Sequence, residues 1–337
     1  MNIALAQIQT DGYRSSKRQP LLEMNMNTSH VPVMVREVLD FLSPAPGAVS
    51  LDTTLGGGGH SFAVLEAIQP SGVLIGCDRD GDAVVAARRR LASFGPSARI
   101  HHSHHSEIKR VVASEGFEAV DCVLFDLGLS SIQLDTPGRG FRMDSPDALD
   151  MRMDQGGGPT AADLVNELPE KELADLIYQY GEERKSRAIA RAIGRARARK
   201  PLERCEELAA VVVSAVARSG GGGRARWRIH PATRTFQALR IALNREMETL
   251  EGALRDAVDL LRPGGRIAVI SFHSLEDRIV KNVFRELSSG RDAAGDDAPA
   301  TLKLLNRRVV RPSDAEVAAN PRSRSAKLRA AEKREAE

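Results

Sequence analysis

Cysteine is scarce in this 337-residue chain, with only Cys77, Cys122 and Cys205. They are far apart and odd in number, which excludes a disulfide framework and a paired-cysteine metal site and fits a reducing compartment. Aromatic residues make up 4%, with a single Trp. That is too few for a recognition module built on several stacked aromatics. The longest apolar run, Leu208 to Ala217, is about half of the ~20 residues that span a bilayer. The amino terminus lacks the charged-then-apolar pattern of a secretory leader. These absences predict a soluble cytoplasmic protein with no membrane partner. Net charge is also small at +3, but the average hides a segregation: Arg184 to Arg240 holds 15 basic residues against three acidic ones.

The chain is long enough to bury a large core without staples, and its length suggests about two domains. Residues 1–28 show no sustained period and read as a loose extension, with Met24 and Met26 as alternative starts. A short helix follows through Val35, Val38, Leu39 and Leu42. Apolar runs at 48–52, 72–78, 99–102 and 119–126 then alternate with helix-length spacers, the pattern of a parallel α/β sheet. From about Gly138 to Thr235 the strand pattern pauses, and it resumes after Pro263-Gly264-Gly265 with 266–272. The expectation is an α/β core formed by 29–138 and 236–332, an inserted helical domain over 139–235 carrying most of the positive charge, and a tail at 333–337. Two short strands, near 301–309 and 326–331, are expected to close the sheet edge.

The most informative segment is Asp52-Thr-Thr-Leu-Gly-Gly-Gly-Gly-His-Ser61. A strand ending in an acid, followed by a glycine run and a helix, lets a nucleotide-like ligand approach bare backbone. Asp78 ends the next strand about 20 residues on, where a carboxylate accepts hydrogen bonds from ribose hydroxyls. The dinucleotide spacing Gly-x-Gly-x-x-Gly is absent, and Asp52 at the mouth would repel a pyrophosphate, which argues against a nicotinamide-dependent oxidoreductase. S-adenosylmethionine carries an amino group and a sulfonium but no phosphate. Asp52 and Asp126, at adjacent strand ends, suit that cationic ligand.

Nine segments in order carry a family resemblance: Thr28-Ser-His-Val-Pro-Val33, the glycine run above, Asp78-Arg-Asp80, Asp126-Leu-Gly-Leu-Ser-Ser131, Arg139-Gly-Phe141, Leu149-Asp-Met-Arg-Met-Asp154, Tyr180-Gly-Glu-Glu-Arg184, His230-Pro-Ala-Thr-Arg-Thr-Phe-Gln-Ala-Leu-Arg240 and Ser271-Phe-His-Ser-Leu-Glu-Asp-Arg278. Together they resemble the MraW family of bacterial small-subunit ribosomal RNA cytosine-N4-methyltransferases, over roughly residues 28–332. The resemblance implies a Rossmann-like S-adenosylmethionine-dependent methyltransferase sheet interrupted by a helical insert. It implies methyl transfer to N4 of a cytidine in the decoding region of 16S rRNA within the small subunit, and it is compatible with a homodimer. Carried over position by position, cofactor contacts fall on Gly58, Gly59, His60, Asp78, His105, Asp126 and Gln133, with Asp52 supporting. His105 departs from the family pattern, which has phenylalanine there.

Cytosine N4 is a poor nucleophile because its lone pair is delocalised into the ring, so the enzyme must accept a hydrogen bond from the amine and hold it in line with the methyl. The Asp/Asn-Pro-Pro-aromatic signature of other amino-methyltransferases is absent. Asp126 is therefore the candidate for base contact, amine acceptor or both. His273 is a second candidate contact to the target nucleotide, while Ser274 reads as a helix N-cap. No metal is expected, despite the clustered His101, His102, His104 and His105.

Arg187, Arg191, Arg195 and Arg199 stack on one helical face, a like-charge arrangement that a polyanion would relieve. Arg224, Arg226, Trp227, Arg228, His230 and Arg234 add a basic stretch with one aromatic that can stack on a base. Two competing readings remain: a non-catalytic rRNA-binding assembly factor, and a methyltransferase acting on another nucleic-acid amine.

Overall fold

The computed structural model describes residues 32–218, 227, 229–291 and 296–335. The extension at 1–28 and the arginines at 224, 226 and 228 lie outside the described residues. In chain order the elements are α1 (Val35–Leu42), β1 (Val49–Asp52), α2 (Gly59–Ile68), β2 (Val73–Asp78), α3 (Gly81–Arg90), β3 (Ala98–His102), α4 (Ile108–Ser114), β4 (Val120–Asp126) and α5 (Ser131–Asp135). There follow α6 (Ala161–Glu167), α7 (Glu170–Gly181), α8 (Ser186–Arg197), α9 (Cys205–Arg218), α10 (Thr233–Asn244), α11 (Glu246–Leu260), β5 (Leu261–Ser271), α12 (Ser274–Ser289), β6 (Leu302–Leu304), α13 (Asp314–Ala319) and β7 (Lys327–Lys333).

Seven strands form one sheet in the order β3-β2-β1-β4-β5-β7-β6. The first five are mutually parallel, and β7 runs antiparallel to both β5 and β6. The fold is therefore a Rossmann-like α/β sheet. Strand order reverses between β1 and β4, and the crevice above their carboxyl ends is where such sheets bind ligands. Asp52, Asp78 and Asp126 end β1, β2 and β4 at this edge. All four residues of β1 are buried, because a parallel strand is covered by helices on both faces.

One apolar layer packs Leu254, Val258, Val280 and Phe284 under the sheet, with Phe125 at its centre. The other packs Val38, Leu42, Val64, Leu65 and Ile68 over it. A third cluster lies between β4 and β5 in sequence and joins Leu173, Ile177, Ile189, Ile193, Leu208 and Leu239 from α7 to α10. Each large aliphatic side chain fully buried in this way contributes about 1.5–3 kcal/mol.

Two local features differ from the periodicity. The stretch read as one helix after Pro231 is two, α10 and α11, because Arg245 adopts a left-handed conformation with φ 52° between them. The helix read over 82–94 stops at Arg90 and gives way to a 3-10 turn over Ala92–Ser97, in which Gly95 takes φ 53°. Among the described residues no helix is long and apolar enough to cross a membrane.

Candidate active site

The glycine run is shaped by its neighbours. Gly58 caps α2 with φ 73°, a left-handed conformation that costs a side-chain-bearing residue about 1–2 kcal/mol. At Gly59 a Cβ would strike the Pro32 ring. The loop is held from the adjacent strand: Asp78 Oδ2 accepts from Gly56 N at 2.7 Å, and its Oδ1 accepts from Asp80 N at 2.9 Å. Burial pushes the Asp78 carboxyl up to about 6, although those two amides pull it back down. Each oxygen keeps a second lone pair for a ligand hydroxyl.

Asp52 is placed differently from the sequence reading, which set it at the mouth facing a cationic ligand. It is 3% exposed. Its Oδ2 accepts from Ser61 Oγ at 2.6 Å and its Oδ1 from Thr54 N at 3.2 Å. Burial raises its pKa. Asp52 thus fastens the glycine loop to the first turn of α2. The pattern of a strand ending in an acid does not tell an inward carboxylate from an outward one.

His60 and Asp126 form the central couple. His60 is buried, with Nε2 2.8 Å from the Val33 carbonyl, which makes Nε2 the donor there. Its Nδ1 lies 3.4 Å from Asp126 Oδ2. Burial depresses the imidazole, but the Asp126 carboxylate outweighs it and the pKa is raised. Asp126 N donates to Thr54 Oγ1 at 2.6 Å, which fixes the start of the following turn. Asp126 Oδ1 is buried and has no hydrogen-bond partner. A buried carboxylate oxygen without a donor is costly. This one is left as an open acceptor. Thr54 was missed from sequence, although it lies inside the glycine-run motif.

Gln133 also has an internal role. Its Oε1 accepts from Ser130 N, completing a capping box at the start of α5, and its Nε2 donates to Asp80 Oδ2 at 2.9 Å. The side chain is buried, so it positions Asp80 and the turn after Asp126. Asp80 caps α3 through Asp82 N and pairs with the buried Arg139 at 2.8 Å. Arg139 reaches Asp82 at 3.0 Å and donates to the carbonyls of Arg152 and Met153. Asn244 then accepts from Met153 N and donates to Met151 O, while Arg79 donates to Asn244 O. One polar chain thus ties the ends of β2 and β4 to the loop around Met151–Met153 and to α10. The motifs around Asp80 and Arg139 signalled it, but spacing gave their residues no partner.

His105 is half-buried, with Nε2 3.0 Å from Thr249 Oγ1 and its ring 3.9 Å from that of His104. Burial lowers its pKa to about 3. It is a neutral ring at physiological pH, able to stack on a flat ligand. The other clustered histidines face separate partners: His101 the Glu115 carboxylate, His102 the Arg79 carbonyl and His104 Ser106.

His273, expected to face the target nucleotide, caps α12 instead. Its Nδ1 accepts from Glu276 N, and its Nε2 lies 3.0 Å from Glu276 Oε1. The cap is thus His273, one residue before the Ser274 read from sequence. Ser274 Oγ donates to Glu182, which also accepts from Arg278. Glu246, His273 and Glu276 bring ligand atoms within 4.8 Å of one another. Arg240 already pairs with both carboxylates of this group, with Nε and Nη2 each 2.8 Å from Glu246 and Nη2 3.8 Å from Glu276.

Arg187, Arg191 and Arg195 line an exposed face of α8 as the period predicts, but the helix ends at Arg197 and Arg199 falls in the turn beyond it; part of the stripe is paired. Arg187 lies 2.6 Å from Asp175 and Arg191 3.9 Å from Glu170. Arg195 and Arg199 are exposed. Trp227 is 47% exposed. His230 is exposed and accepts from Ala232 N through Nδ1, and Arg234 lies 3.9 Å from Glu183.

Residues 27–334 match the model of the MraW methylase family. The chain belongs to that family. A ribosomal RNA small subunit methyltransferase H from Geobacter sulfurreducens is 52% identical over 91% of this chain and 100% of that protein. The protein of the same description from Pelobacter propionicus is 51% identical over 90% of this chain and 98% of its own length. Among solved structures, an rRNA methylase from Streptococcus thermophilus aligns with a TM-score of 0.41 at 12% identity, over 91% of this chain and 100% of that one. Membership of a methylase family gives the chain its chemistry, the transfer of a methyl group to an acceptor.

Proposed function

We propose that the chain transfers the methyl group of S-adenosylmethionine to N4 of a cytidine in the decoding region of small-subunit ribosomal RNA, with the small subunit as its partner. The residues present fit the donor. The glycine loop around Gly58 and Gly59 leaves backbone bare, Asp78 would offer two oxygens to the ribose, and His105 would supply a neutral ring for the base. When bound, the donor supplies an electrophilic methyl on a sulfonium.

The observation that carries the reading is the buried, unpartnered Oδ1 of Asp126. An exocyclic amine is a hydrogen-bond donor, and accepting from it concentrates the nitrogen lone pair toward the methyl. His60, held by the Val33 carbonyl, keeps Oδ2 engaged so that Oδ1 is the free acceptor. Asp126 would also take the proton that N4 loses as the new nitrogen–carbon bond forms, a general-base role that contributes about 10²–10⁴-fold to rate. The helices α6 to α9, with Arg195, Arg199 and Trp227, would hold the RNA while the target base is turned out of its stack.

The test is methyl transfer from labelled S-adenosylmethionine to small subunits lacking native modification, followed by nucleoside analysis. Label in N4-methylcytidine supports the reading. Label in another nucleoside moves the target, and a cofactor-binding protein that labels nothing would favour the assembly-factor alternative.

A further inference from the structure

The positive surface read from the sequence lies in the helical insert. The structure places a second one at the edge of the sheet, on the chain between β6 and β7. Lys327, which begins β7, pairs with Ser271 at the carboxyl end of β5. The chain entering β7 therefore lies at the same edge as Asp126. It is fixed there at several points. Leu305 N donates to Ala330 O, Asn306 bonds Leu328 O and Ala330 N, and Val310 pairs with Leu328. Farther along, Glu316 accepts from Met34 N at 2.7 Å. Arg322 donates to Ser131 at 2.8 Å and Asp135 at 2.7 Å, both on α5, the helix that follows Asp126.

Residues 305–327 hold six basic side chains and two acidic ones. Arg307 and Arg308 lie on the bulge between Asn306 and Val310, Arg311 follows the bridge to Leu328, and Arg324 lies in the 3-10 turn Pro321–Ser325. All four are exposed. Among the described residues none of the four pairs with a carboxylate. Elsewhere on β5, β6 and β7 several cations have acidic partners: Arg329 and Lys327 share Asp277, and Arg266 and Lys303 share Glu332. Of the four stripe arginines on and just after α8, two have acidic partners. Four exposed guanidinium groups without a carboxylate partner on an anchored segment are left to pair with anions, and the phosphates of an RNA backbone would supply them. Arginine suits this role because its planar fork takes a phosphate bidentately.

We propose that segment 305–326 is a phosphate-binding surface for the RNA substrate, with Arg307, Arg308, Arg311 and Arg324 as its contacts. RNA entering the active site would then be held from the β7 side as well as from the insert. This rests on the rRNA reading above.

The experiment replaces Arg307, Arg308, Arg311 and Arg324 with Gln together and measures affinity for protein-free small-subunit rRNA between 50 and 200 mM salt. A control variant replaces Arg88 and Arg89 of α3 with Gln. Each phosphate contact adds about 0.7–0.9 to the slope of log affinity against log salt. The quadruple variant should lose about 3 units of slope, so that wild type falls roughly 60-fold more than the variant across that range. Binding of S-adenosylhomocysteine and maximal turnover at saturating subunit should match wild type, which shows that the variant is folded, while KM for the subunit rises. A slope within one unit of wild type, in a variant that still binds S-adenosylhomocysteine, overturns the proposal alone. Absence of salt-dependent binding by wild type to both the protein-free RNA and the small subunit would overturn the rRNA reading and this proposal with it.

Discussion

The sharpest consequence of the site concerns Asp78 and pH. Its carboxyl is pushed up to about 6 by burial, against the pull of the amides of Asp80 and Gly56. If it receives ribose hydroxyls as a carboxylate, donor binding requires the ionised form. Affinity should then be flat above about pH 7 and fall about tenfold per unit below 6. The linked effect on folding has the opposite sign. A carboxyl with a raised folded-state pKa binds its proton more tightly when folded, so its contribution to stability is most favourable in acid and declines as pH rises from about 4 through 6. The full span is about 3 kcal/mol, from about two pKa units at 1.36 kcal/mol each. The assay is isothermal titration with S-adenosylhomocysteine from pH 5 to 8, on wild type and Asp78→Asn. His60 also has a raised pKa, and the Asn variant separates the two groups. Affinity independent of pH in wild type, or the same profile in both proteins, would refute the assignment to Asp78.

Three further outcomes are expected. Asp126→Ala should lower kcat by about 10²–10⁴ at saturating donor, measured as methyl transfer to unmodified subunits; a loss under threefold would remove Asp126 as the amine acceptor. Arg139→Met leaves the buried Asp80 carboxylate without its cation and should destabilise by about 3–5 kcal/mol, read as a lower Tm and a lower urea midpoint. Gly140→Ala places a Cβ 2.5 Å from Asp150 N and 2.6 Å from Ala148 O at φ 74°. It should destabilise the loop carrying Met151 by more than the ~1–2 kcal/mol of the left-handed backbone alone, measured by the same denaturation curves.

The sheet was legible because parallel strands buried on both faces appear as apolar runs ending in acids, at 52, 78 and 126. The helix boundaries were less so. Arg245 breaks α10 from α11 with a left-handed conformation that no glycine announces. In the site, chemistry-bearing residues were found, but their direction was not. Asp52 and Gln133 lie in the right motifs and point inward, to Ser61 and Asp80. His273 closes the first turn of α12 because Glu276, three residues on, offers both its amide and its carboxylate. Such roles depend on partners 3 to 60 residues away, which spacing does not reveal. The same holds for charge: the α8 period foretold an exposed stripe, whereas Asp175 and Glu170 reach it only through the packing of α7. The arginines of 305–326 show no helical or strand period, and only the bridge between Val310 and Leu328 reveals that their segment is fixed at the sheet edge.

The measurement closest to the central claim is a crystal structure with S-adenosylhomocysteine and cytidine bound together. The account predicts cytosine N4 within about 3.2 Å of Asp126 Oδ1, on the side facing the sulfur, with Oδ2 still against His60. A cytosine whose amine lies away from Asp126, with Oδ1 taken instead by the amino group of the cofactor product, would contradict it.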